Sequence, residues 1–137
     1  MKKKGKLLLY SDRVKIEKIV LGSLWAVSGV SSLFNSTLGL ILQILSLTTI
    51  VYTLVRVSFA KAESADEMAD QNMNKAKAVA SDYMLMLFCC VAIIAILFLR
   101  DTTLSIGLNQ LIPAVAFFVM GCHSVITGLA FRKFEDD

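Results

Sequence analysis

Long uncharged apolar runs dominate the chain, and short polar segments divide them. The first run covers residues 19–55. As a single helix it would be about 55 Å long at about 1.5 Å per residue, whereas the hydrocarbon core of a bilayer is about 30 Å thick. The run must therefore turn, and the Asn-Ser-Thr triplet at 35–37 offers turn formers followed by a helix N-cap. This pattern predicts one membrane span over residues 18–34 and a second over 38–59.

The second half of the chain repeats this plan. Residues 83–99 are uncharged and apolar and predict a third span, which ends at the polar segment 100–103. Another uncharged stretch follows and lasts until Arg132, which predicts a fourth span over 104–131 and a short tail at 132–137. Pro113 lies inside this stretch and favours a kinked or tilted helix, with a re-entrant dip around residues 109–113 as the alternative.

The segment 60–82 between the two pairs of spans is charged and polar. Ser64-Ala65-Asp66-Glu67 has the pattern of a capping box. In the helix that it would start, acidic residues occupy the first turns and Lys75 and Lys77 come later, as the helix dipole favours. No glycine or proline separates this segment from the third span. We therefore expect one continuous helix from about Ala65 to Leu99, whose first turns project into the cytoplasm.

One face of the projecting helix carries small and apolar side chains at helical spacing. Its main members are Met68, Met73, Ala76 and Val79. Two interpretations stay open. The face can pack on the cytoplasmic ends of the protein's own helices, or it can serve as a docking face for a partner, to which adaptable methionine side chains are suited.

The distribution of basic residues predicts the orientation. Of the 14 Lys and Arg residues, all except Arg100 lie before or at the start of the first span, in or beside the linker, or in the tail. The positive-inside rule makes that side cytoplasmic, which requires an even number of spans. The sequence thus predicts an all-α integral membrane protein with four transmembrane helices in two antiparallel hairpins and both termini in the cytoplasm. The lysine-rich start and small size favour a bacterial plasma membrane.

Composition agrees with a membrane protein and narrows its chemistry. Apolar residues make up 56% of the 137 residues and charged residues only 18%, which is too little polar surface for a soluble domain. The apolar part of the basic segment 1–17 is too short for a cleavable signal peptide, and the segment suits anionic lipid better than nucleic acid. The three cysteines have no metal-ligand spacing, and we expect them to be small, buried and inert.

Few polar side chains inside the predicted spans could support function. No Asp, Glu, Lys or Arg lies in mid-membrane, which argues against an ion-coupled pump. The candidates for a polar interior are Gln43, Asn109, Gln110 and His123. Each could form an interhelical hydrogen bond, and His123 could instead act as a titrating switch.

Small residues on the first and fourth spans predict close helix packing. Gly22 and Ala26 are four residues apart, with Gly29 beyond them, and Gly121 and Gly128 define a comparable face on the last span. We expect both spans to pack on other helices through these faces. Trp25 lies in mid-span and is expected to pack there.

No motif for catalysis, metal binding or nucleotide binding is present, so we expect neither an enzyme nor a cofactor. The sequence favours a non-catalytic accessory, regulatory or immunity-type protein that acts by contact with another membrane protein or another copy of itself. The alternative is a small oligomeric transporter or channel whose polar path is lined by the four candidate side chains.

Overall fold

The protein is all-helical in the part that the structure, a computed structural model, describes: residues 9–34, 36–59, 65–98 and 106–136. The elements are α1 (Tyr10–Val14), a π-helical segment (Lys15–Val20), α2 (Leu21–Ser31), α3 (Thr37–Phe59), α4 (Glu67–Phe98) and α5 (Leu108–Asp136). The first three follow one another without a break and together form the N-terminal rod. Helices α3, α4 and α5 are each long and apolar enough to cross a membrane.

The turn between α2 and α3 forms where the sequence predicts it. The Ser36 hydroxyl accepts a hydrogen bond of 3.2 Å from the backbone N–H of Gly39 and so caps α3. A Cβ at Gly39 would lie 2.5 Å from the carbonyl oxygen of Phe34, so the turn folds onto the helix only because this residue is glycine. Asn35 lies outside the described residues. The cap confirms that the long uncharged run is divided at this triplet.

Helix α4 is a single uninterrupted helix of 32 residues, about 48 Å long at about 1.5 Å per residue. This continuity confirms the prediction for the linker and the apolar segment that follows it. The cap seen in the structure is Asp66, whose carboxylate accepts a hydrogen bond of 2.7 Å from the Ala69 N–H. Ser64, the N-cap of the predicted capping box with Glu67, lies outside the described residues.

Helix α5 is also continuous, over 29 residues that include Pro113. No re-entrant break occurs at residues 109–113, so that alternative is wrong. Proline is tolerated here because it lies in the second turn, where it removes only the bond that its N–H would make to the Asn109 carbonyl. The helix continues past the predicted end of the fourth span and includes Arg132 and Lys133.

Helix α5 is central to the packing. It lies against α2, against the π-helical segment and against α4, while α2 also packs on α3. The resulting order of neighbours is α3, α2, α5, α4. Helices α2 and α3 are therefore neighbours, as are α4 and α5, and the α2–α5 contact joins the two pairs, whereas α3 and α4 lie at opposite ends of this order.

Small residues bring α2 and α5 into backbone contact along what we term the α2–α5 seam, formed by Gly22, Ala26 and Gly29 against Phe118 and Gly121. A Cβ at Gly29 would lie 2.6 Å from the Phe118 backbone nitrogen, and one at Gly121 would lie 2.6 Å from the Gly22 carbonyl oxygen. This close approach confirms the packing role predicted for the small residues. Beside the seam, the ring of Trp25 packs on that of Phe117, with centroids 5.2 Å apart, which confirms Trp25 as a packing residue.

The ends of α1, α4 and α5 meet in a compact apolar group, here termed the terminal cluster. Its buried members are Val14, Met73, Ala76 and Phe131, with Tyr10, Ala130 and Phe134 packed against them. The Tyr10 ring meets the Phe131 ring edge to face at 6.0 Å. The Asn72 amide donates a hydrogen bond of 3.1 Å to the Phe134 carbonyl, which ties α4 to the end of α5.

Much of the apolar surface stays exposed. Helix α3 buries only a narrow stripe, Gly39, Ser46, Ile50 and Val57, and turns its leucines and isoleucines outward. Surfaces of this kind suit a lipid environment. Cys89 and Cys90 lie on the exposed side of α4 and Cys122 is half-buried, so the expectation of three buried cysteines is wrong. A residue hidden from water in a membrane need not be buried against protein.

Candidate functional site

Three of the four predicted polar-interior side chains meet in one place. An open cleft of about 440 Å³ lies at the end of the molecule opposite the terminal cluster. It contains Gln43 of α3 together with Asn109 and Gln110 of α5. The rest of its lining is Ser32, Phe34, Ser36, Thr37, Leu40 and Pro113. The polar cleft, as we term it, thus joins the α2–α3 turn to the start of α5.

The chemistry of the polar cleft is that of uncharged hydrogen-bonding groups. Its described lining consists of amides and hydroxyls with a few apolar side chains, and it includes no charged residue. Because Pro113 lacks an N–H, the Asn109 carbonyl has no donor from the helix turn above it. The starts of α3 and α5 both lie at the cleft and add partial positive charge from their N-termini.

His123 does not join this group. It lies in a separate groove with Lys18, Met84 and Ser124. Along α5 it is about 20 Å from Gln110, at about 1.5 Å per residue. The α2–α5 seam lies between the two regions, and there the backbones touch. The four predicted residues therefore do not line one path within a single chain.

The predicted docking face is divided between the interior and the surface. Met73 is 7% exposed and Ala76 is fully buried, both in the terminal cluster, whereas Met68 is 73% exposed. Val79 is half-buried. Met73 and Ala76 thus pack within the chain, and Met68 is the member of the face that is open to contact.

Met68 lies at the edge of a wide recess of about 720 Å³ beside the terminal cluster, here termed the acidic recess. Three carboxylates, from Asp66, Glu135 and Asp136, line it together with Leu9, Tyr10, Ser11, Ala69, Asn72 and Phe134. Burial raises the pKa of the Glu135 carboxyl, and its negative neighbours Asp136, Asp12 and Asp66 raise it further, against the opposing effect of Lys15. The recess therefore combines negative charge with an exposed apolar side chain.

Some residues of these sites are not apparent from the sequence pattern. Phe131 is the last residue of the predicted fourth span and Phe134 stands among charged residues in the predicted tail. Their three-residue spacing was the available sign that the helix continues into the tail and packs there. Ser28 is fully buried, and its hydroxyl has no hydrogen-bond partner among the described residues. Nothing in the sequence distinguishes it from Ser31 or Ser32, whose hydroxyls donate to backbone carbonyls one turn earlier.

The described ranges contain no group of three or more His, Cys, Asp or Glu residues arranged to hold a metal ion. Comparison with family models, with curated proteins and with solved structures finds no match to this chain.

Proposed function

We propose that this chain is a four-span protein of a bacterial plasma membrane that acts without catalysis, by contact with another membrane protein, as an accessory, regulatory or immunity-type protein. The observation that supports the proposal is the acidic recess with Met68 at its edge. The recess lies at the end of the molecule that carries most of the basic residues that the structure describes and both ends of the described chain. In the proposed topology it is therefore outside the bilayer. A partner segment with basic and apolar side chains would complement it.

In the proposed topology the N-terminal rod crosses the membrane as the first span, in addition to α3, α4 and α5. Helix α2 is apolar and packs between α3 and α5, both long enough to cross a membrane. The contacts of α2 with α3 and of α4 with α5 support two antiparallel hairpins. The basic residues near the ends of the N-terminal rod, α3 and α5 then lie on the cytoplasmic side, together with both termini.

Cysteine accessibility tests this topology. In a chain whose three cysteines are replaced by alanine, Ser36→Cys should react with a membrane-impermeant maleimide added to intact cells. Glu67→Cys should react only after the membrane is permeabilised. The two positions serve as controls for each other, since both are exposed in the structure. The same accessibility at both positions before permeabilisation would contradict the four-span topology. The sequence also suggests Thr102 as an outer position, but it lies outside the described residues.

Photocrosslinking tests the contact role. A photoreactive residue at Met68 should capture one dominant heterologous membrane protein in native membranes. The same residue at Met73, on the same helix but buried, should give little or no such product, since its side chain faces Val14 and Phe131. Changing Asp66 and Glu135 to Asn and Gln should weaken capture at Met68 if the acidic recess is the contact surface. Equal heterologous capture from both positions would contradict the proposed surface.

A small oligomeric transporter or channel is the second candidate, and the convergence of Gln43, Asn109 and Gln110 on the polar cleft favours it. The close backbone contact at the α2–α5 seam blocks a path between the helices in the described part of a single chain. A transport function therefore requires several copies of the chain to assemble. The crosslinking experiment separates the two candidates. Capture of only further copies of this chain supports the transporter and makes these three side chains the next to be changed.

A further inference from the structure

A groove of about 370 Å³ lies between the π-helical segment, α4 and α5. Its apolar side chains are Met84, Val119 and Met120, and its polar ones are Lys18, His123 and Ser124. Lys18 is the one charged residue of this lining. We term this site the lysine groove, and the polar cleft and the acidic recess share none of its residues.

Lys18 has no counter-charge in the described part of the chain. The ion pairs there join Arg13 to Glu17, Lys15 to Asp12 and Arg132 to Asp136. Glu17 and Asp70 line a recess that Lys18 also borders, but neither carboxylate lies within ion-pair distance of the ammonium. A half-buried cation next to apolar side chains is stabilised by an anion.

The base of the Lys18 side chain is fixed in place. A Cβ at Gly128 would lie 2.9 Å from the Lys18 Cβ and 2.7 Å from Ile19 Cγ1, so the π-helical segment rests directly on α5 at this glycine. The groove is therefore built by close helix packing, and its cation is not carried on a loop.

The polarity of the lysine groove changes with depth in the proposed bilayer. Lys18 is the last charged residue before the uncharged run 19–55, and its neighbour Gly128 lies about 6 Å along α5 from Arg132. His123 lies about 8 Å deeper than Gly128, and Met120 and Val119 lie deeper still. Met120 is 55% exposed, so the apolar end opens toward lipid. The groove thus passes from headgroup depth to acyl-chain depth.

We infer that the lysine groove binds an anionic phospholipid of the cytoplasmic leaflet. The Lys18 ammonium contacts the phosphate, and the His123 ring N–H and the Ser124 hydroxyl donate hydrogen bonds to the ester carbonyls below it. One acyl chain lies along Met84, Val119 and Met120. Basic pockets between spans on this side of a membrane bind such headgroups. The inference rests on the proposed membrane placement and is independent of any protein partner.

Native mass spectrometry of the purified full-length chain in neutral detergent tests this inference. Phosphatidylglycerol should bind at least about tenfold more tightly than phosphatidylcholine, and Lys18→Gln should weaken its binding by about tenfold, as expected for loss of one charge-assisted contact. Lys15→Gln removes the same charge from an exposed neighbour that does not line the groove, and it should leave binding unchanged. Inorganic phosphate should not compete, which distinguishes a lipid site from a site for free phosphate.

Equal binding of the two lipids, equal losses in Lys18→Gln and Lys15→Gln, or full competition by phosphate would each overturn the inference. If Lys18→Gln does not fold, Met120→Trp fills the apolar end with the charge intact and should also weaken binding by about tenfold. Leu129→Trp on the same helix is its exposed control and should have no effect. The purified protein has no partner present, so a negative lipid-binding result would not count against the proposed contact role. Likewise, failure to crosslink a partner would not count against lipid binding at the lysine groove.

Discussion

Replacement of Gly121 by leucine should lower the free energy of unfolding by about 3 kcal/mol, the upper end of what overpacking usually costs. Gly121 is buried in the α2–α5 seam, where even a Cβ would overlap the backbone of Ala26 and approach the Gly22 carbonyl oxygen. The obstacle is backbone on a neighbouring helix, so a rotamer change cannot relieve it. The two helices must separate, and the dispersion contacts along the seam are lost.

Ala116→Leu is the matched control for this change. It is a small-to-leucine substitution in the same helix at an exposed position, where the larger side chain meets lipid or detergent. Denaturation of both variants by SDS, followed by circular dichroism, gives the two unfolding free energies. Similar values for Gly121→Leu and Ala116→Leu would show that the helices do not approach at Gly121.

The position of the α2–α5 seam also bears on how the polar sites are arranged. It separates the polar cleft, with Asn109 and Gln110, from the lysine groove, with His123. Separating the two helices there would lose the dispersion contacts along the seam. The two sites therefore lie at opposite ends of one helix pair.

The helices themselves were predictable from the sequence, because a bilayer restricts a chain to few structures. Every backbone polar group must be satisfied inside the hydrocarbon, so an apolar run of sufficient length forms a helix. Helix α3 begins at Thr37, next to the predicted start, because Ser36 caps it. Helix α4 remains unbroken because no glycine or proline interrupts it. The packing faces with Gly22, Gly29 and Gly121 were also predictable, since small residues show where backbones approach.

The arrangement of the candidate sites was not predictable. Lipid chains are about as apolar as leucine, so outside the small-residue faces the large apolar side chains do not show whether a helix side faces lipid or protein. The sequence could not indicate that Cys89 and Cys90 face outward or that Met73 faces inward. Gln43 and His123 are equally unusual in an apolar run, and only the packing of α2 on α5 places one in the polar cleft and the other in the lysine groove.

Replacement of Phe131 by alanine should lower the free energy of unfolding by about 3 to 5 kcal/mol, as is typical for loss of a buried phenylalanine. The side chain is 1% exposed and joins Val14 and Met73 in the terminal cluster, with Tyr10 against its ring. Removing it opens a cavity in the terminal cluster between α1, α4 and α5. Phe59→Ala is the control: Phe59 is 86% exposed, and its loss should change stability little.

The change at Phe131 should also show which surface of α4 is available to a partner. Without the phenylalanine ring, the polar first turns of α4 lose their main apolar contact and depend on the Asn72 hydrogen bond. A photoreactive residue at Met73 should then begin to form crosslinks, because its side chain is no longer enclosed. Hydrogen exchange of the first amides of α4 should rise in the same variant. If neither crosslinking nor exchange changes, the terminal cluster does not hold α4 in place, and the choice of Met68 over Met73 as the contact residue loses its basis.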